Sequence, residues 1–354
     1  MSPRSRLRAF GAIVAIGASA VLAAWFFASP RSPAGGAAPS ALSLLAVGDT
    51  GKPRDLVAAL DPGLAVASAM ARADQDSPVT GLILLGDNFY PDGLREREFK
   101  DRVRANLVEP FCHFIRFTQR GRGSLDDACP VPGPDRHPVP IHALLGNHDY
   151  NERESPLLQR RQIPEYVENW QMPAGDFEVR ELQGGVSLIL LDSMHWLMRD
   201  DDARLVRAVR QSRGPWRIVA AHHPMVDTGK SAVPKFAKRM GRILTRADVP
   251  IHLFIAGHEH NLQLIERAGE WPRLHVITGS GSHVREPTGG DPGRRFALAG
   301  HGFARIDLDT PSARLTVTLY QVAAAHLSKA RGHPVARFSI DHAGDIAELP
   351  LPVR

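Results

Sequence analysis

Short, uninterrupted apolar runs recur along the chain, and each breaks at a glycine or a polar residue. They are ALSLLAVGD (41–49), GLILLGD (81–87), IHALLGN (141–147), VSLILLD (186–192), WRIVAAH (216–222) and IHLFIAGH (251–258). Such runs are too short for typical helices and lack polar alternation, so they predict strands buried on both faces. Between them the period becomes helical. Residues 200–214 open on acids, space Leu205, Val206 and Val209 along one face and stop at Gly214, and residues 234–248 are similar. Residues 56–73 read as a helical stretch interrupted at Pro62-Gly63. Nearer the C-terminus the pattern alternates strictly. Ala304, Ile306 and Leu308 share one face, Leu315, Val317 and Leu319 share the next, and Pro311-Ser312 lie between, which predicts an antiparallel hairpin. ARFSID (336–341) alternates as well. Residues 118–138, rich in Gly, Pro and Asp, are expected to form a long loop or insertion. The whole predicts an α/β chain with mixed sheets around one catalytic domain.

Composition narrows this picture only a little. The 354 residues can bury a large core, and 43% hydrophobic with 23% charged is ordinary for a globular chain. The formal charge is +5 and the pI about 9.5. The basic residues are mostly scattered Arg, with no dense run beside aromatic residues, so no nucleic-acid binding is expected. A mild positive field suits anionic substrates such as phosphates.

The N-terminus reads as an address. MSPRSRLR is basic, residues 9–28 carry no charge, and residues 29–40 form a Pro-, Gly-, Ala- and Ser-rich linker. Residues 1–28 are either a signal peptide or an uncleaved single-pass anchor, and the Arg excess before the apolar stretch keeps the N-terminus inside. Either way the rest is expected on the periplasmic or extracellular face, with residues 41–325 as the catalytic domain and 326–354 as an extension packed on it. In that setting Cys112 and Cys129 would close a local loop as a disulfide, the alternative being two free thiols.

The strand ends carry the chemistry. They deliver Gly48-Asp49-Thr50-Gly51, Gly86-Asp87-Asn88-Phe89-Tyr90, Gly146-Asn147-His148-Asp149, His222-His223-Pro224 and Gly257-His258-Glu259-His260. A single Gly-Asp is usually a turn, and a single strand histidine is usually a satisfied core residue. Ligands of open α/β sheets, however, gather at carboxyl ends of strands, so these groups can converge. Carboxylates, imidazoles, an amide and a phenol together suit hard and borderline metals. A carboxylate shared by two cations implies hydrolysis of a phosphoryl or acyl group.

The ordered set GDxG, GDxxY, GNHD, VxxH and GHxH resembles the calcineurin-like metallophosphoesterases. The Tyr of GDNFY narrows the resemblance to the purple acid phosphatases, and most closely to their small, tartrate-resistant type. It covers roughly residues 41–285. The resemblance implies a four-layer αββα sandwich of two mixed β-sheets flanked by helices. It also implies a dinuclear centre with Asp49, Tyr90 and His260 on the first metal, Asn147, His222 and His258 on the second, and Asp87 bridging both. The VxxH spacing from Val219 selects His222 over its neighbour. His148 would touch the substrate phosphate or protonate the leaving oxygen, and a substrate role is open for His223. The anionic first site suits Fe³⁺; the second suits Fe²⁺, Zn²⁺ or Mn²⁺. The implied reaction is attack of a metal-activated hydroxide on a small phosphate ester, without a covalent intermediate. A phosphodiesterase, or an anchored binding protein with the same fold, are the alternatives.

Two positions depart from the resemblance. Thr50 stands where small members usually have Trp, which puts substrate preference in doubt, and Glu259 stands where Asp is common. Asp192 at the end of its strand reads as structural. His195 and Trp196 after it are candidates to line the cleft, and HVITGSGSH (275–283), which resembles the family's Gly-rich strand end after GHxH, is expected to be a tight loop beside the site. His113, His137, His142, His252 and His301 read as surface or core histidines.

Overall fold

The computed structural model describes residues 42–52, 61–198, 201–226, 233–309, 312–323 and 330–352. The N-terminal address and linker, the first part of the 56–73 stretch and Pro311 lie outside them. The strands in chain order are β1 Leu42–Val47, β2 Gly81–Leu84, β3 Ile141–Ala143, β4 Trp170–Gln171, β5 Phe177–Leu182, β6 Val186–Leu191, β7 Trp216–Ala221 and β8 Leu253–Ala256. They continue with β9 Leu262–Glu266, β10 Leu274–Thr278, β11 Arg294–Leu298, β12 Gly302–Asp309, β13 Arg314–Val322, β14 Gly332–Asp341 and β15 Ile346–Glu348. One sheet runs β15-β14-β13-β12-β1-β2-β3-β4 and the other β11-β9-β10-β8-β7-β6-β5.

Both sheets are mixed. β1, β2, β3 and β4 pair in parallel while β12 joins β1 antiparallel. In the second sheet β6, β7, β8 and β10 are parallel, and β5 and β9 are antiparallel. Three apolar layers separate four structural ones. Leu44, Ile83, Leu188, Ile255 and Val317 meet between the sheets. Val66, Met70, Leu82, Phe111 and Phe114 fill the space under the helices of the first sheet. Ile189, Val206, Phe236, Ile243 and Phe254 do so for the second. A four-layer αββα sandwich follows, and every residue of β1, β2, β6 and β8 is buried, as runs without polar alternation require.

The three longest helices have recognisable signals. α1, Pro62–Asp76, starts where the sequence pattern broke. Pro62 sits in its first turn and Asp61 accepts the Leu64 N–H at 3.0 Å, so the interruption is a helix start. α2, Asp202–Gln211, is capped by Asp201, and α3, Pro234–Ala247, ends on Asp248 in the left-handed region. β12 and β13 form the expected hairpin in register from Gly302↔Gln321 to Asp309↔Arg314.

Some segments depart from the sequence pattern. Residues 96–114 form an irregular helical run of short α, 3₁₀ and π turns, broken by Pro110, without the sustained period that would announce them. The 118–138 stretch is more ordered than a plain loop. Thr118 caps a turn at Gln119–Arg122, and Cys112 is disulfide-bonded to Cys129. Trp196 and His195 turn away from the cleft: Trp196 is fully buried against Phe177, and His195 Nδ1 lies 2.8 Å from Asp176. Asp192 serves the fold, accepting from Tyr150 Oη at 2.6 Å, from the His195 N–H and from Arg160. Among the described residues no helix is long and apolar enough to cross a membrane.

Candidate metal centre

The parallel strands β1, β2 and β3 of one sheet and β7 and β8 of the other end at the same rim. The turns that follow them are tied to one another within each sheet and, through Gly48, across the two. The Asp49 N–H reaches Gly86 O at 2.9 Å, the Gly48 N–H reaches Thr278 O at 2.8 Å and the Gly257 N–H reaches His222 O at 3.1 Å. Three of the predicted ligands leave their strands in the left-handed region: Asp49 (φ 59°), Asp87 (φ 54°) and His258 (φ 68°). For non-glycine residues that conformation costs about 1 kcal/mol or more each and tends to gather at functional sites. The glycines explain how the backbones come so close. A Cβ on Gly146 would lie 2.1 Å from Asp87 Oδ1, and one on Gly257 would lie 2.7 Å from Asp49 Oδ2.

Two donor sets result, and they share one atom. In the first, Tyr90 Oη lies 2.8 Å from Asp49 Oδ1, 2.8 Å from Asp87 Oδ2 and 3.2 Å from His260 Nε2. In the second, Asn147 Oδ1 lies 3.1 Å from His222 Nε2 and 2.9 Å from His258 Nδ1, and His222 Nε2 is 3.5 Å from Asp87 Oδ2. Asp87 Oδ2 therefore borders both. Its other oxygen accepts the His148 N–H at 2.9 Å, which fixes the carboxylate plane.

Proton counting tests whether cations fit. The phenol has one proton for two buried carboxylate oxygens, and among the described residues no Lys or Arg pairs with Asp49 or Asp87. His222 Nδ1 is bound to Leu85 O at 2.9 Å, so its Nε2 presents a lone pair to Asn147 Oδ1, another lone-pair atom. Converging acceptors without protons between them are what a cation at each set would satisfy.

The acid–base behaviour agrees. Burial, then the Asp87 charge, holds Asp49 well above the usual carboxylate range. Burial and both carboxylates hold the Tyr90 phenol far above its ordinary value. Burial, then His258, pushes His222 well below the ordinary imidazole value, and burial with Arg285 brings His260 to about 4. Neutral imidazoles are ready to bind metal, whereas Asp49 and the Tyr90 phenol are disfavoured as anions, a cost that a cation between them would remove.

Each residue expected at the centre is at this rim, with differing roles open to it. His148 lies over Tyr90 (ring centroids 4.4 Å) and its Nδ1 is bound to Pro91 O at 2.6 Å, so Nε2 is the atom left for a ligand. His223 is only 2% exposed. Its Nδ1 meets Ser193 Oγ at 2.7 Å and its ring leans on His258 at 4.5 Å, a buttress more than an open cleft residue. Two contributors escaped the sequence reading. Asp149, fully buried, accepts N–H bonds from Asn88, Phe89, Gly146 and Gln159 and so locks the two loops together. Burial and Asp87 raise it to about 7. His283 lies 4.8 Å from the Tyr90 ring, and its position at the carboxyl end of β10 was the signal that could have found it.

The model of the calcineurin-like phosphoesterase family matches residues 42–262. The chain belongs to that family. It is 24% identical over 338 residues to human tartrate-resistant acid phosphatase type 5, covering 85% of this chain and 93% of the human protein. The pig protein of the same name is 23% identical over 334 residues, covering 85% and 89%. Among solved structures, purple acid phosphatase PPD1 from yellow lupin aligns with a TM-score of 0.57 at 14% identity, over 86% of this chain and 54% of that one. GAP50, the anchor in the inner membrane complex of Plasmodium, aligns with a TM-score of 0.59 at 17% identity, over 83% and 89%. At these identities the two structures speak for the fold alone. Calcineurin-like phosphoesterases bind a dinuclear metal centre and act on phosphate esters, and the donor sets around Asp87 are where this chain has candidate residues for it.

Proposed function

We propose that this phosphoesterase is an exported dinuclear phosphatase that hydrolyses phosphate monoesters. One observation carries the reading: two complete donor sets share Asp87 Oδ2, with too few protons to satisfy their acceptors. Asp49, Tyr90 and His260 would hold the first cation, and the anionic oxygens there favour Fe³⁺. Asn147, His222 and His258 would hold a divalent Fe, Zn or Mn, with Asp87 between. Two such cations supply a water-derived nucleophile near neutral pH and neutralise phosphoryl oxygens.

The chain's own groups do the rest. The Pro91 carbonyl keeps the His148 proton on Nδ1, so a second proton taken up at Nε2 is the one available to a leaving oxygen. Asp149 holds the Asn88 and Gly146 backbone in place and thereby the spacing of Asp87 and Asn147. Export rests on the sequence of residues 1–28.

Likeness to GAP50 favours a second reading, a fold kept for anchoring rather than turnover. The full donor set supports catalysis. The test is hydrolysis of an aryl phosphomonoester and an aryl phosphodiester by the metal-loaded chain. The proposal expects the monoester to be faster. A faster diester would make it a phosphodiesterase, and no turnover with both metals bound would favour the anchoring role.

A further inference from the structure

The outer face of the first sheet is polar because its strands alternate. Ala304, Ile306 and Leu308 of β12, Leu315, Val317 and Leu319 of β13, and Phe338 and Ile340 of β14 fill the layer between the sheets. Their neighbours Arg305, Asp307, Thr316, Tyr320, Arg337 and Ser339 therefore share the opposite face. α1 packs on all three strands. Between that helix and the strands opens a cavity of about 620 Å³, a volume suited to a small ligand. Asp307 pairs with Ser43 near the start of β1, whereas Asp49 follows its end, so about 20 Å of strand separates this region from the metal centre.

Five arginines, Arg72, Arg305, Arg314, Arg331 and Arg337, line the cavity against three carboxylates, Asp76, Asp307 and Asp309. The carboxylates are engaged. Asp307 accepts Arg305 Nε at 2.9 Å and Ser43 Oγ at 2.7 Å. Asp309 accepts from Ser312 Oγ, and Asp76 lies 3.8 Å from Arg331. Arg305 is spent as well. Its Nη atoms donate to Ala73 O at 3.3 Å, Ser77 O at 2.9 Å and Ser77 Oγ at 2.9 Å, which ties the carboxyl end of α1 to β12. Arg337 differs. Its side chain donates to Pro350 O at 3.5 Å, and among the described residues it pairs with no carboxylate. It stands in one row with Arg305, because Thr318 of β13 pairs with both. Ser339 Oγ accepts Arg314 Nε at 3.0 Å and keeps its own proton to donate. Tyr320, stacked on Phe303 at 5.0 Å, adds a phenol to the wall.

We propose that this cavity is a second ligand site, separate from the metal centre, and that it takes a compact polyanion bearing phosphate, sulfate or carboxylate groups. Charge complementarity selects that class. Three of the five arginine charges are matched by the three carboxylates, two are not, and the concave walls focus the field that remains. Arg337 and Arg331 offer planar forks that grip such a group through paired N–H bonds. The Ser339 and Tyr320 hydroxyls can donate beside them. Arg305, fixed by its own hydrogen bonds, contributes its charge without having to move. The site needs no metal, so it stands or falls independently of the phosphatase reading.

Calorimetric titration of the full chain with inositol hexasulfate, a compact polyanion with no phosphoryl group to hydrolyse, tests this. The expected result is saturable binding of one ligand per chain, equal in metal-loaded protein and in protein stripped by a chelator and shown by circular dichroism to stay folded. Arg337→Glu should weaken it about tenfold or more, as loss of a charge-assisted pair provides. Arg331→Gln should weaken it less. Arg246→Glu, an equal change of charge at an exposed position of α3 outside the cavity, should leave it within about twofold. Arg337→Gln, which removes the charge without reversing it, decides the matter if the glutamate disturbs β14. Absence of saturable binding overturns the site. Binding that disappears with the metals would place the ligand at the metal centre, and equal weakening by Arg246→Glu and Arg337→Glu would reduce it to net charge; either result also overturns the proposal.

Discussion

Strand β8 is flanked by two histidines, a buried His252 just before its first residue and a half-buried His258 two residues past its last, and the two have opposite fates. His252 lies between Trp216 (4.5 Å) and Trp271 (5.4 Å), with Nδ1 accepting the Arg217 N–H at 3.2 Å. Burial and His342 lower it to about 4. His258 leaves the strand with positive φ and turns Nδ1 toward Asn147 Oδ1 and His222 Nε2. Burial and a lowered basicity are common to imidazoles at both ends of the sheet, so neither marks a site. What separates the ends is convergence: at the carboxyl end several ligand-type atoms crowd around shared points, whereas at the amino end a single ring is packed between aromatic faces, with one backbone N–H on its Nδ1 and no second donor set beside it.

The comparison can be broken most forcefully at Asp87. Asp87→Ala should release both metals and lower kcat/KM by at least about a thousandfold, since the shared atom holds each cation. Loss of only one metal on elemental analysis would mean that the two sets are independent. His222→Asn, by contrast, should weaken the second metal alone.

A middle-sized effect concerns pH. In the metal-free protein Asp149 is raised from 3.8 to about 7, so its stabilisation is complete below pH 4 and is lost as pH rises through 7; Asp49 is also raised, and its contribution is lost in the same direction. His260 is lowered from 6.5 to about 4 and His222 is lowered too, so theirs is present above pH 6.5 and is lost as pH falls. Bound metal favours ionised acids and neutral imidazoles and releases protons. The Tm gap between loaded and metal-free protein should therefore widen from pH 5 to pH 7.5 by about 5 °C or more. A constant gap on paired thermal scans would contradict the assignment of these groups.

The smallest effect belongs to the other end of β8. His252→Ala should cost about 1–3 kcal/mol of stability through lost packing, with metal content and kcat unchanged in parallel denaturation and metal assays.

The two ends also differ in what the sequence discloses. The apolar runs announced β1, β2, β6, β7 and β8 because burial on both faces forbids polar alternation, and those of β1, β2, β7 and β8 overshoot their strands where the backbone turns to present a candidate ligand. The ordered motifs by themselves point to the family. The irregular 96–114 run stayed hidden because its short turns never sustain a helical period. Asp149 was hidden for another reason, because it works through backbone N–H groups; for His283 the loop was expected beside the site, but its ring contact with Tyr90 arises only on folding. His195 and Trp196 misled because the helix after β6 turns Trp196 into the core and His195 onto Asp176.

The central claim is that Asp87 joins two cations, one of them an Fe³⁺ held by the Tyr90 phenolate. Elemental analysis of the purified chain together with its visible spectrum tests it most directly. The account predicts two metals per chain, one of them iron, and a visible absorption band that Tyr90→Phe abolishes. An active protein that is colourless and free of iron would contradict the phenolate–iron centre, and one metal per chain at full activity would contradict the shared carboxylate.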